Sequence, residues 1–202
     1  GGTAGSNFGV YILNTASGNV VFGNTVTTNG SSLNHGVFLD TGANNNTVAA
    51  NTITTNASSS FGILIKQSNG STVANNTIKT GTVTSFGVQI EHAGLDIPNQ
   101  NVFYNNIFNT TAMHVNVTSN LSVNNFSVST YSGTNIVGGS LIGGNYYDNS
   151  TVGGLSAYSL TCADRDIDGV CDVGLNHTIG EMSLNDSDFY PLAKPAAACE
   201  QL

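Results

Sequence analysis

Apolar residues recur along the chain in short alternating runs. Phe8-Gly9-Val10-Tyr11-Ile12, His35-Gly36-Val37-Phe38-Leu39, Phe61-Gly62-Ile63-Leu64-Ile65 and Phe86-Gly87-Val88-Gln89-Ile90 share one pattern. Ala112-Met113-His114-Val115 reads as a fifth copy, with Ala112 aligned on Gly87. Alternation with period two is the mark of a half-buried strand. A second column lies between these runs and has the form apolar-x-x-Asn-x-apolar. Its members are Val21/Asn24/Val26, Val48/Asn51/Ile53, Val73/Asn76/Ile78 and Phe103/Asn106/Phe108, with Leu121/Asn124/Phe126 and Ile142/Asn145/Tyr147 as looser copies. Two short strands per unit of roughly 18–30 residues, with almost no helix signal, predict an all-β parallel solenoid of about six coils. Coils stack about 4.8 Å apart, so Val and Ile fill a narrow core. Asn24, Asn51, Asn76, Asn106, Asn124 and Asn145 are expected to form a structural ladder. Each would sit at a bend, tolerate a left-handed backbone and bond to the asparagine of the next coil.

Composition narrows the functional classes. Charged residues make up only 8% of the 202 positions, and four basic residues against twelve acidic ones give a formal charge of −8. Such a chain has no footprint for binding nucleic acid. No apolar run approaches the ~18 residues of a membrane span. Asn, Ser and Thr are poor mid-helix residues and dominate the polar positions, which argues against a helical bundle. The chain begins at Gly1 without a basic or apolar leader, as a mature or truncated product would.

Toward the end of the chain Gly143-Gly144-Asn145-Tyr146-Tyr147-Asp148 is followed by Asp164-Arg165-Asp166-Ile167-Asp168-Gly169 and then by Asp188-Phe189-Tyr190-Pro191-Leu192. The repeats together with this order resemble right-handed parallel β-helix proteins of the pectate-lyase and NosD-like type. The resemblance covers nearly the whole chain. It implies a right-handed β-helix, expected over residues 1–148; a calcium-binding, disulfide-pinned cap is expected over 149–192, and the Lys194-Pro195 stretch reads as a flexible tail over 193–202.

Nine of the twelve acidic residues lie from Asp148 onward. Asp164, Asp166, Asp168 and Asp172, with the Val170 carbonyl, match the first nine positions of a calcium loop. The twelfth position is Leu175 rather than Glu, and the missing ligand could come from Asp186, Asp188 or a backbone oxygen. Structural Ca²⁺ is the expected cofactor. Cys162 and Cys171 bracket the loop and are expected to form a disulfide, which implies an extracellular or cell-surface location. Cys199 is left over.

Twelve Asn-x-Ser/Thr sequons stand at Asn29, Asn45, Asn56, Asn69, Asn75, Asn109, Asn116, Asn120, Asn125, Asn149, Asn176 and Asn185, and N-linked glycans are expected on them. An enzyme is not expected. The fourth residue after each repeat glycine is Leu13, Asp40, Lys66, Glu91 or Asn116, so Asp40 and Glu91 would lie two coils apart, roughly 9–10 Å, with Lys66 between them. Either a ladder of opposite charges or a carbohydrate-binding or carbohydrate-cleaving face would look like this. Arg165 is the only arginine, too few cations for a lyase acting on acidic sugars. Copper handling is what the NosD-like resemblance implies, yet among His35, His92, His114, His177, Met113 and Met182 only Met113 and His114 adjoin, on opposite faces of a strand. Thr25/Thr27 and Thr52/Thr54 suggest an ice-binding array, which Lys79 breaks. The leading expectation is an extracellular scaffold, or a fibre or surface-layer subunit that self-associates through its open ends.

Overall fold

A computed structural model describes residues 6–92, 98–118, 123–148, 159, 162–172, 177–178 and 187–194. The calls on Asn120, Asn149, Asn176, Asn185, Asp186, Leu175, Met182 and Cys199 lie outside the described residues.

The chain winds through three parallel sheets. The first holds β1 (Val10–Ile12), β4 (Val37–Asp40), β7 (Ile63–Lys66), β10 (Val88–Glu91) and β13 (Val115–Val117). The second holds β2 (Val20–Phe22), β5 (Thr47–Ala49), β8 (Thr72–Ala74) and β11 (Val102–Tyr104). The third holds β3 (Thr25–Thr28), β6 (Thr52–Thr55), β9 (Thr77–Thr80), β12 (Ile107–Thr110) and β16 (Tyr146–Asp148). Two antiparallel pairs follow, β14 (Tyr131–Ser132) with β15 (Leu141–Ile142), and β17 (His177–Thr178) with β18 (Ser187–Asp188). The all-β solenoid is as the repeats predict, but it makes about four full turns rather than six. The two looser copies explain the overcount. Tyr147 pairs with Phe108 on the third sheet, whereas Phe126 stacks on Phe103 of the second, so both belong to one last, interrupted coil.

Inward side chains stack in register from coil to coil. Val37, Ile63, Val88 and Val115 form one row, and Val26, Ile53, Ile78, Phe108 and Tyr147 another. Aliphatic residues give way to aromatic ones toward the last coil, where Phe103 lies 4.6 Å from Phe126 and Phe108 5.6 Å from Tyr147. The first four strands of this sheet, β1, β4, β7 and β10, are each preceded by a glycine because the core comes too close for anything larger. A Cβ at Gly62 would meet Ile78 Cγ2 at 2.3 Å and the Gly87 carbonyl at 2.6 Å.

The fifth repeat is shifted from its expected alignment. Val115 pairs with Val88, so His114, not Ala112, occupies the place of Gly87, and Asn116 faces Gln89 rather than Glu91. The corner between the second and third sheets also differs from expectation. The left-handed residue is not the ladder asparagine but the one before it: Gly23 (φ 69), Ala50 (φ 55), Asn75 (φ 59) and Asn105 (φ 53). The ladder asparagine itself is held by hydrogen bonds, and the left-handed turn falls on the residue before it, which suits Gly23, Asn75 and Asn105 and costs most at Ala50.

Candidate functional site

The asparagine column is a continuous buried ladder. Asn51 donates its backbone N–H to Asn76 Oδ1 at 2.9 Å, and its amide donates to the same oxygen and to the Val21 and Ala49 carbonyls. The same set recurs at Asn76, whose rung is Asn106, and at Asn106, whose rung is Asn145. Asn124 does not belong here. It receives the backbone N–H and amide of Asn101 in a second ladder, Asn19, Asn46, Ser71, Asn101, Asn124. A third runs Asn7, Asn34, Ser60, Ser85. Aligned columns of Asn and Ser would have disclosed both.

Asp188 is the residue that sequence reasoning misplaced. It is fully buried and stands where the rung after Asn145 would be. Its Oδ2 accepts the Asn145 N–H at 2.8 Å and the Tyr147 hydroxyl at 2.9 Å, and its Oδ1 accepts the Tyr190 N–H at 3.1 Å. Burial pushes its carboxyl up to about 7, although the hydrogen bonds it accepts from Asn145, Tyr147 and Tyr190 pull the other way. Asp188 is thus committed to the solenoid and takes no part in the acidic loop.

In that loop, carboxylate oxygens of Asp164, Asp166 and Asp172 lie within 4.8 Å of one another, the only such group of three among the described residues. Asp168 does not join them. Its Oδ1 accepts the Val170 N–H at 2.8 Å, while both oxygens of Asp164 accept backbone N–H groups, from Asp168 and Gly169. Val170 is buried and bridges to Leu192 on the last coil. Cys162 and Cys171 form the disulfide.

On the first sheet Asp40, Lys66 and Glu91 pair directly across β4, β7 and β10. No ion pair within 4.0 Å joins them among the described residues. Asp40 instead accepts the Tyr11 hydroxyl at 2.9 Å. Burial raises the Glu91 carboxyl, with Lys66 opposing and Asp40 adding to the shift. Beside this row, rings stack along the column. His35 lies 5.4 Å from Phe8 and 4.9 Å from Phe61, and Phe61 lies 5.4 Å from Phe86. His35 accepts the Phe61 N–H on Nδ1, and burial lowers it to about 4. His114 is buried too, lowered to about 3, with Nδ1 against Thr110 Oγ1 and Nε2 unpartnered. Of the sequons, Asn29, Asn45, Asn56, Asn75 and Asn125 are exposed, while Asn69, Asn109 and Asn116 are half-buried.

Three stacked sheets, buried polar ladders and a cap pinned by a disulfide define a β-solenoid repeat protein. The family model described as "Periplasmic copper-binding protein (NosD)" matches residues 3–152, and the chain belongs to this family. No curated protein matches, and no solved structure matches. The family's description and the disulfide agree on a location outside the cytoplasm. The same finding overturns the expectation of calcium, since the family is described as binding copper. The acidic group also lacks the expected Asp168 carboxylate. Copper in turn does not fit the described residues. The acidic cluster is all oxygen, whereas copper favours imidazole and sulfur. His35 and His114 are enclosed in separate stacks, the side chain of His177 lies outside the described residues, and among the described residues no His or Cys joins the acidic cluster.

Proposed function

We propose that the protein is a non-catalytic extracytoplasmic scaffold, a rigid shaft displayed at the cell surface and carrying N-linked glycans on its corners. One observation supports this most: the buried polar side chains spend their hydrogen bonds on each other, rung to rung, which stiffens the column and leaves few chemical groups for a substrate. On the first three coils the outer face of the third sheet is uncharged Thr, as at Thr25, Thr27 and Thr52, apart from Lys79; Asn109 and Asp148 continue the Lys79 row. The exposed sequons, Asn29 and Asn56 among them, are where glycans would attach. Immunogold labelling and intact mass of the native protein test the proposal. Surface label with hexose-spaced mass increments supports it. Label confined to the cytoplasm contradicts it.

A second reading is a carbohydrate-binding or carbohydrate-cleaving face at Asp40 and Glu91, favoured by the Tyr11–Asp40 hydrogen bond and the raised Glu91 carboxyl. The ring stack speaks against it, because the aromatic faces are turned onto one another rather than onto a sugar. A glycan array and a reducing-sugar assay, each repeated on Asp40→Asn/Glu91→Gln, separate the two readings. Signal that disappears in the double variant favours the sugar face.

A further inference from the structure

The three buried ladders share one direction. Asn24 donates to Asn51, Asn51 to Asn76, Asn76 to Asn106 and Asn106 to Asn145, always from the earlier coil to the side-chain oxygen of the later one. Asn19 to Asn46 and Asn7 to Asn34 follow the same rule. A shorter row nearer the surface, Val123 to Asn99 to Asn69 to Asn44, runs the opposite way. A directional ladder has unlike ends. At the first coil Asn19 and Asn24 are exposed, and among the described residues no donor reaches either side-chain oxygen. At the last coil the final donors, those of Asn145, end on Asp188. Asp188 has no side-chain amide, and its oxygens accept from Asn145, Tyr147 and Tyr190, so it stops the ladder where another asparagine would pass it on. The chain around Asp188 belongs to an antiparallel pair, and the Leu192 and Gly144 N–H groups close onto the Asn145 and Tyr190 carbonyls.

The backbone has the same asymmetry. The Val10 N–H and the Asn19 and Asn24 carbonyls bond to the second coil. Successive residues in a strand face opposite neighbours, so Tyr11, Val20 and Thr25 direct their backbone groups away from the stack.

We propose that the solenoid is extensible at one end only: its first-coil edge takes a further parallel β-coil with asparagine or serine at the ladder positions, and Asp188 closes the other edge. The occupant is a solenoid coil that brings N–H and amide donors to the oxygens of Asn19 and Asn24. A second copy of this chain does not meet that requirement. Its closed end offers Asp188, and its open end offers the same acceptors. The inference goes beyond the scaffold reading and holds whether or not the shaft is a scaffold in the cell.

Two measurements test it. In the unmodified chain, amide exchange at Tyr11, Val20 and Thr25 is expected to be at least about tenfold faster than at their register partners Phe38, Thr47 and Thr52. Sedimentation is expected to show a monomer at all concentrations. A variant carrying a second copy of residues 37–62 between Gly9 and Val10 presents the missing coil in register. It should fold, melt at a higher temperature and slow the three amides to the rates of their partners. Amides already slow in the unmodified monomer, concentration-dependent dimers or filaments, or an insertion variant that fails to fold or leaves the three amides fast would each overturn the proposal.

Discussion

The shaft and the cap satisfy the same physical demand in different ways. Both bury polar backbone in a chain with little charge. The shaft does so by repetition, each coil supplying the partner for the next. The cap does so by single long-range contacts, such as Asp188 on Asn145 and Tyr147, or Leu192 on the Asn145 carbonyl. Repetition shares a loss among neighbours. A lone contact has no neighbour to share with, but its failure stays local.

The largest contrast should come from the ladder. Asn76→Ala removes the acceptor of two Asn51 donors and the donor to the Val48 and Ala74 carbonyls. At about 1–3 kcal/mol per orphaned group, the loss is expected on the order of 4 kcal/mol in urea denaturation, spread over the whole shaft. A loss confined to one coil would break the comparison. Gly62→Ala follows. Its Cβ has no room against Ile78 and the Gly87 carbonyl, and overpacking of this kind costs about 1–3 kcal/mol. In the cap, reducing Cys162–Cys171 opens a loop with sequence separation 9 and is expected to loosen the cap by about 2–3 kcal/mol, read as faster amide exchange at Cys171 and Asp172 with Ile63 and Ile78 unchanged.

The pH dependence is smaller and has two opposed parts. Asp188 is raised from 3.8 to about 7 in the folded protein, so between those values the folded state binds more protons and stability falls as pH rises. His35 and His114 are lowered from 6.5 to about 4 and about 3, so their contribution is lost as pH falls below 6.5. Asp188→Asn should remove the fall in stability that Asp188 causes between pH 3.8 and about 7, leaving the rise from the two histidines against the smaller opposing contributions of the raised Glu91 and Asp168 carboxyls, measured by urea midpoints. An unchanged profile would argue against a buried, titrating Asp188. The smallest effect is expected at Asn56→Gln. The residue is exposed and its side-chain amide donates to Asn29 Oδ1 at the surface, so the melting temperature should hardly move.

What the sequence disclosed follows the same division. Val, Ile and the ladder asparagines recur at near-constant offsets, so Asn24, Asn51, Asn76, Asn106 and Asn145 were legible as one column. The ring stack was also present in the Phe8, His35, Phe61 and Phe86 column, although His35 was weighed only as a metal ligand. Asn124 was misassigned because the last coil is interrupted, and one local offset then fits two different ladders. Asp188 left no spacing signal at all. It lies 43 residues beyond Asn145 and differs in type from the rungs it completes. The acidic loop showed the opposite failure: its spacing matched a metal loop, while Asp168 and Asp164 spend oxygens on backbone N–H groups.

The central claim is that shaft and cap meet at a ladder that Asp188 terminates. Amide exchange in Asp188→Ala tests it most directly. The Asn145 N–H should exchange about tenfold faster or more, with a smaller change at Asn106 and none at Asn51. Unchanged exchange at Asn145, or equal acceleration at all three asparagines, would contradict it.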